Sequence, residues 1–303
     1  MRVGFIGTGH MGNPMAGHLI DGGHELVVYD ERPSVTENLI ERGASWADSS
    51  AAIADTCRIV FTSLPGPAQI DAVIRGDDGL LRAARPGDIH VDLSSNSVAM
   101  VRQIAASASE NHVHYLDSPV TGGVPGAEKG TLSFLASGDQ SAVDTVRPLF
   151  ECMGDQVFYL GEAGNGCIIK LVNNIIVLCT GQLMQEGIVL AAKAGVDPEL
   201  LDQVLRASTA RPFIGLMPYV LGRRFDNPSF TLALAEKDVR LALESATDLS
   251  VPMPLTAAAH QTYRQALDAG LGDKSFIATL QTLETAAQVA VPIRQLDRGR
   301  DRL

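Results

Sequence analysis

Three short stretches of this sequence carry the side chains and backbone freedom that chemistry requires. In "GNGCIIKLVNN", residues 164–174, Lys170, Asn173 and Asn174 are related as i, i+3 and i+4. At 3.6 residues per turn they share one helix face, with Gly166 a turn earlier on the same stripe. An amine in that setting can take or give a proton, and an asparagine amide can hold it, or a ligand hydroxyl, by neutral hydrogen bonds. The plain alternative is a lysine snorkelling beside two satisfied asparagines. In "DSPVTGG", residues 117–123, the hydroxyls of Ser118 and Thr121 stand beside the unobstructed amides of Gly122 and Gly123. Such a loop either cradles a small carboxylate or is an ordinary glycine turn.

The third stretch, "GFIGTGHMG", sets Gly7, Gly9 and Gly12 in GxGxxG spacing between an apolar strand and an apolar-periodic helix. Gly7 permits the tight turn, Gly9 lets backbone approach a pyrophosphate, and Gly12 lets helix and strand pack closely. Thr8, His10 and Met11 complete the candidate dinucleotide turn, His10 either touching phosphate or lying at the surface. Asp30, ending the second strand, is spaced to accept hydrogen bonds from an adenosine ribose, which points to NAD. Arg32 is the residue that would instead favour NADP if it held the extra phosphate. Leu64 and Pro65 in "SLPGPAQ" and Ser95 in "VDLSSNS" follow further strands at the same carboxyl edge, where nucleotides bind in open α/β sheets. Ser95 reaches the nicotinamide or substrate, or else caps the next helix. His112 and His114 alternate on a predicted strand without a third ligand, so no metal site is expected.

The elements that must position these residues follow from apolar periodicity. The runs "RVGFIG", "ELVVYD", "RIVFTS" and "IHVDLS" suit buried parallel strands and alternate with helical segments at 11–22, 34–43, 68–74 and 97–110. Two more strands, "VHYLDSPV" and "LSFLASG", flank a glycine-rich loop, and a helix at 141–152 and the strand "QVFYLG" complete a Rossmann-type doubly wound domain over 1–162. From 163 to 303 the helical period dominates, predicting an all-α domain joined through a long helix, 165–194, buried in protein. Substrate is then expected at the carboxyl edge of the first domain, against the second.

With these stretches in this order, the chain resembles the β-hydroxyacid dehydrogenases, which include 3-hydroxyisobutyrate and tartronate semialdehyde enzymes. The resemblance covers nearly the whole chain and rests on "GFIGTGHMGNPMAGHL", "DSPVTGG", "GNGCIIKLVNN" and "LAEKDVRLA". It implies that Lys170 is catalytic, that Asn174 helps place it and the substrate, that Ser118, Thr121, Gly122 and Gly123 bind a carboxylate, and that Lys237 approaches the nicotinamide. It also implies an NAD-dependent oxidation of a small β-hydroxy acid to its semialdehyde, with NADP the alternative cofactor, and a homodimer or homotetramer. Two positions depart from the family pattern. Thr121 stands where serine is common, and Gln69 where a shorter asparagine often contacts cofactor. Lys170 argues against the imine reductases, which replace that position, and the length lacks the extra helical region of 6-phosphogluconate enzymes.

Composition narrows the alternatives. The 303 residues carry 24 Lys and Arg against 35 Asp and Glu, a formal charge of −11, with no basic tract to follow a phosphate backbone. Nucleic acid is not expected as a partner. Cys57, Cys152, Cys167 and Cys179 show no CxxC spacing and read as reduced, mostly buried thiols, favouring a cytoplasmic setting. "MRVGFIG" reads as a strand from its second residue, so a signal peptide is not expected. The apolar run 167–194 is interrupted by Lys170, Asn173, Asn174, Gln182, Gln185 and Glu186, so a membrane span is not expected. The many apolar positions after residue 165, more than a small helical domain easily hides, favour a helical oligomer interface. Arg211, Arg223, Arg224 and Lys129 are candidate cations for substrate selectivity. A non-catalytic redox sensor would keep the nucleotide fold without needing the lysine face, and steady turnover of a hydroxy acid distinguishes the two.

Overall fold

The computed structural model describes residues 1–292, and the chain divides into two compact units, the first Met1–Leu171 and the second from Val172 onward. In the first unit six parallel strands, β1 (Arg2–Ile6), β2 (Glu25–Tyr29), β3 (Ser45–Trp46), β4 (Ile59–Thr62), β5 (Ile89–Asp92) and β6 (His114–Asp117), are ordered β3-β2-β1-β4-β5-β6. That is the Rossmann order. Helices α1 (Gly12–Asp21), α2 (Glu37–Glu41), α3 (Ser50–Thr56), α4 (Pro67–Arg75), α5 (Leu80–Ala83) and α6 (Val98–Glu110) connect the strands. Because helices cover both faces of a parallel sheet, its strands read as near-continuous apolar runs; β4 and β5 are buried at every residue.

The last part of this unit departs from simple alternation. β7 (Val120–Thr121), β8 (Leu132–Ala136) and β9 (Gly154–Tyr159) form a separate three-stranded sheet, β7 antiparallel and β9 parallel to β8. An isolated bridge between Asp117 and Ser137 links the end of its central strand, β8, to the end of β6. The segment expected to be a glycine-rich loop holds α7 (Gly123–Lys129). The glycines in "GGVPGAEKG" mark its ends: Gly122 and Gly123 enter with φ of 126° and 62°, and Gly130 leaves with φ of 68°. Pro125 falls in its first turn, where a missing amide does little harm. Helix α8 (Gln140–Met153) packs Phe150 against Phe61 and Phe134 at centroid separations of 6.0 and 4.5 Å. His112 lies in a turn with φ of 56°, so it does not alternate with His114 along a strand.

Helix α9 (Asn165–Lys193) continues into the second unit, followed by α10 (Pro198–Arg206), α11 (Met217–Leu221), α12 (Leu232–Asp248), α13 (Pro254–Asp268) and α14 (Leu280–Ala287). The second unit's described residues are helical apart from loops and an isolated bridge between Thr231 and Ser275, and its core gathers around Met217, Val220, Ile277 and Leu280 and around Leu178, Val239 and Tyr263. Tyr263, fully buried, donates to the carbonyl of Leu178 across 3.3 Å. The expectation that α9 is buried fails over part of its length. Ile176, Leu183 and Leu190 are 60%, 70% and 72% exposed.

One core residue sets an acid limit on the first unit. His90 is 1% exposed in β5, its Nδ1 has no hydrogen-bond partner among the described residues, and burial pushes its pKa from 6.5 down to about 4. Between those values the unfolded chain binds more protons than the folded one, so stability falls as pH drops from 6.5 toward 4. Linkage sets this loss at roughly 3 kcal/mol. His90→Leu is expected to flatten the acid limb of stability against pH, measured by chemical denaturation from pH 7 to 4. An unchanged limb would show that other groups govern it.

Candidate active site

Strand register places the site residues of the first unit at one edge. Ile6 pairs with Thr62, Thr62 with Asp92, and Asp92 with Asp117, so the turns that follow β1, β4, β5 and β6 leave the sheet at one level. After β1, Gly7 adopts φ of 85° and donates to the carbonyl of Tyr29 at 2.9 Å. A Cβ on Gly7 would lie 2.3 Å from the Ser63 carbonyl oxygen, and one on Gly12 would lie 1.9 Å from that of Gly7. Neither position tolerates a side chain. Gly9 differs, since its Cβ would meet nothing nearer than Arg32 at 4.0 Å, leaving open space over the turn. Helix α1 then begins without a side-chain cap and without an acidic residue in its first turn, leaving amides and positive dipole for an anion. The Oγ1 of Thr8, buried and without a hydrogen-bond partner among the described residues, adds a donor. His10 is exposed, and Met11 packs against the core.

Asp30 follows β2 and accepts from the Thr8 amide at 2.9 Å and the Arg32 amide at 2.9 Å, tying the second strand's end to the glycine turn. The Arg32 guanidinium is exposed, its Nε 3.9 Å from Asp30. Leu64 donates its amide to Ser94 Oγ at 2.9 Å, joining the turns after β4 and β5. Pro65 lies exposed at this rim and Gln69 exposed in the first turn of α4. Ser95 is half-buried between Ser94 and Asn96, and the cap of α6 is Ser97, which accepts from the Met100 amide. The capping alternative for Ser95 is thereby removed. Asn96, which sequence reasoning missed, is fully buried with its Nδ2 lacking a partner among the described residues.

Beneath this rim lie two buried carboxyl groups. Asp92 accepts from Thr62 Oγ1 at 3.0 Å, Ser94 N at 3.1 Å and Tyr115 OH at 3.0 Å. Asp117, opposite it on β6, accepts from the Gly164 and Cys167 amides at 2.9 and 3.0 Å and from the Ser137 hydroxyl. Burial raises the pKa of both, and these hydrogen bonds oppose the rise. Ser118 follows directly. It is 0% exposed and its hydroxyl has no partner among the described residues, while Thr121 is half-buried and Gly122 and Gly123 are exposed. Lys170 lies half-buried in the second turn of α9.

In the second unit, Asn174 and Lys237 meet through a residue that the sequence reading did not single out. Asn174 Nδ2 donates to Asp238 Oδ2 at 2.6 Å, and Lys237 Nζ lies 3.1 Å from Asp238 Oδ1. Asp238 is 1% exposed. In "EKD" an acidic residue next to a lysine looks like a surface pair, and only the buried asparagine it holds marks it out. Of the cations considered for selectivity, Arg223 is engaged by Glu284 at 2.8 and 3.0 Å and Arg224 stacks over Tyr219. Arg211 and Lys129 are exposed. Among the described residues no group of three or more His, Cys, Asp or Glu could hold a metal ion.

A Rossmann sheet whose glycine turn leaves room and amides for a pyrophosphate, followed by a helical unit, defines a dinucleotide-dependent oxidoreductase. Residues 2–161 match the NAD binding domain of 6-phosphogluconate dehydrogenase, and residues 164–283 match the NAD-binding region of NADP-dependent 3-hydroxyisobutyrate dehydrogenase. The chain is 31% identical to 2-(hydroxymethyl)glutarate dehydrogenase of Eubacterium barkeri, over 96% of its length and 97% of the relative's. It is 34% identical to 2-hydroxy-3-oxopropionate reductase of Escherichia coli, over 95% and 98%. Among solved structures, Mycobacterium tuberculosis 3-hydroxyisobutyrate dehydrogenase with L-serine superposes with a TM-score of 0.83 at 29% identity, covering 93% of this chain and 98% of that one. The chain belongs to the β-hydroxyacid dehydrogenase family, as an oxidoreductase of the 3-hydroxyisobutyrate dehydrogenase type that uses a nicotinamide dinucleotide.

The buried Asn174–Asp238 bond yields a direct test. Asp238→Ala strips Asn174 Nδ2 of its acceptor, and a buried donor so orphaned costs about 1–3 kcal/mol. Chemical denaturation is expected to register that loss. A variant as stable as wild type would show that the asparagine finds another partner.

Proposed function

We propose that the chain oxidises a small β-hydroxy acid of the 3-hydroxyisobutyrate kind to its semialdehyde, or runs the reverse reaction, with Lys170 moving the proton. The observation that carries the substrate class is Ser118, a wholly buried hydroxyl without a partner among the described residues, at the head of a loop whose glycine amides are uncovered. An unpaired buried donor beside bare amides suits a carboxylate, which accepts several hydrogen bonds at once. Thr121 adds a second hydroxyl. When bound, the nicotinamide supplies the hydride acceptor or donor. Gly7 to Gly12 would hold its pyrophosphate, Asp30 the adenosine ribose, and Leu64, Pro65, Gln69, Ser95 and Lys237 its nicotinamide half.

In oxidation the neutral Lys170 amine accepts the proton of the substrate hydroxyl, and in reduction its ammonium returns one to the carbonyl oxygen. Asn174, held by Asp238, contributes a fixed amide to the same reaction. A carboxylate at Asp30 also opposes a second phosphate on the ribose, which favours NAD over NADP. The decisive experiment follows NADH absorbance with 3-hydroxyisobutyrate, L-serine, D-glycerate and longer or sulfonated β-hydroxy acids, using NAD and NADP, for wild type and Lys170→Met. Lys170→Met is expected to bind NAD and lose turnover by roughly 100- to 10,000-fold, the range for a positioned acid-base group. Wild-type turnover from the folded variant would overturn the assignment of Lys170. Catalytic efficiency with NADP equal to that with NAD would overturn the cofactor preference, and the absence of turnover across the panel would favour the sensor reading.

We also propose that the chain pairs with a second copy through α9. Val172, Ile176, Thr180, Leu183, Gly187 and Leu190 recur at intervals of four, four, three, four and three residues and so share one face of the helix. Its apolar members are exposed in the single chain. Length and apolarity would also let α9 cross a membrane, but buried Gln182 and Gln185 and the exposed charge of Glu186 interrupt the helix, which favours a protein partner. Light scattering at micromolar concentration is expected to give a dimer or tetramer and to give a monomer for Leu183→Lys. A monomeric wild type would overturn the pairing.

A further inference from the structure

The start of α9 is held in an unusual way for this chain. Helices α3, α6, α8, α10 and α12 are each capped by the residue that precedes them, Ser49, Ser97, Asp139, Asp197 and Thr231. At α9 the Asn165 amide donates to the nearby Glu162 carbonyl, but those of Gly164, Gly166 and Cys167 are taken up by residues 29 to 50 positions earlier. Asp117 Oδ1 accepts from Gly164 N at 2.9 Å, Asp117 Oδ2 accepts from Cys167 N at 3.0 Å, and Ser137 Oγ accepts from Gly166 N at 3.0 Å while donating to the Asp117 carboxylate. The fit is close. A Cβ on Gly166 would lie 2.3 Å from the Leu135 carbonyl oxygen and 2.9 Å from both the backbone oxygen and Oδ2 of Asp117. Gly164 turns into the helix with φ of 100°.

Asp117 ends β6 and is covalently next to Ser118, the first residue of the loop assigned to the substrate carboxylate. The amide it holds at Cys167 lies three residues before Lys170. One buried carboxylate therefore touches both segments whose spacing the reaction needs fixed. We propose that Asp117, braced by Ser137, is the positioning residue that sets Lys170 against the Ser118–Gly123 loop. This rests on the reading of Lys170 as the proton-transfer group. A local serine, threonine or aspartate suffices to cap those five helices, and at 1% exposure Asp117 is desolvated, which penalises its charge. A cap drawn from the strand that leads into the substrate loop adds what a local cap lacks, a fixed distance between loop and helix.

The test is a double-mutant cycle on the full chain, with Asp117→Asn and Lys170→Met singly and together, using the best substrate of the panel. Far-UV circular dichroism and NAD binding by fluorescence control for folding. Asp117→Asn is expected to keep NAD affinity and the KM for NAD within about twofold and to lower kcat roughly 10- to 100-fold, since small misplacements of catalytic groups carry losses of that order. In the Lys170→Met background the same change is expected to alter the residual rate by less than about twofold, because the group it positions is gone. Ser137→Ala is expected to lower kcat by a smaller factor, again only when Lys170 is present. Should Asp117→Asn fail to fold, Ser137→Ala decides by the same criteria. Wild-type kcat in the folded variants, or an equal loss in both backgrounds, would overturn the proposal. Wild-type turnover of Lys170→Met alone would overturn the lysine reading and this proposal with it, whereas an inactive Lys170→Met beside a fully active Asp117→Asn would overturn only the positioning role.

Discussion

A helix that starts against the end of a sheet must satisfy its leading amides where water has been excluded, and in this chain one carboxylate and the serine bound to it meet most of that demand. Asp117 reaches α9 because β6 ends level with its neighbours and because Gly166 leaves no side chain between helix and strand. The requirement reaches outward from there. It calls for Ser137 at the end of β8, hence a second sheet whose central strand ends against β6, and hence the packing of α8 on that sheet. The glycine, the aspartate and the serine are one solution distributed over three parts of the chain.

The same edge shows how rigidity and vacancy are combined. Below it, Asp92 gathers Thr62, Ser94 and Tyr115, and Ser94 in turn holds the Leu64 amide, so the turns after β4 and β5 are joined by fully used hydrogen bonds. Above it, Thr8, Asn96 and Ser118 keep buried polar atoms without partners among the described residues. Native interiors tolerate few such atoms, and they concentrate where a ligand completes them. A stiff lower layer lets an incomplete upper layer persist without collapsing on itself.

Much of this was legible in the sequence. The strands are apolar runs because both faces of a parallel sheet are covered, and the glycine triplet announces its turn because backbone contact excludes side chains at Gly7 and Gly12. The polar stripe on α9 stood out against its apolar surroundings. Other features could not be read in the same way. α7 was hidden because glycine and proline, the usual marks of a loop, here begin and end a seven-residue helix. The separate sheet of β7, β8 and β9 depends on pairing partners rather than composition. Apolar residues on α9 announce burial without saying whether the chain itself provides it, so composition alone does not separate Leu178, which is buried, from Leu183, which is exposed. Asp238 was overlooked because its importance lies in the buried asparagine it meets 64 residues away.

Strand β6 is only four residues long, and its side chains alternate between the two faces of the sheet. A single inserted residue before Asp117 would therefore turn that carboxylate toward the opposite helices and exchange the places of Ser118 and Pro119. The turn at 111–113 that precedes the strand is exposed at Asn111 and His112 and has room to grow without disturbing the register. An added residue at that turn therefore costs the site less than one between Asp117 and Gly123, where the loop and the carboxylate share a single spacing.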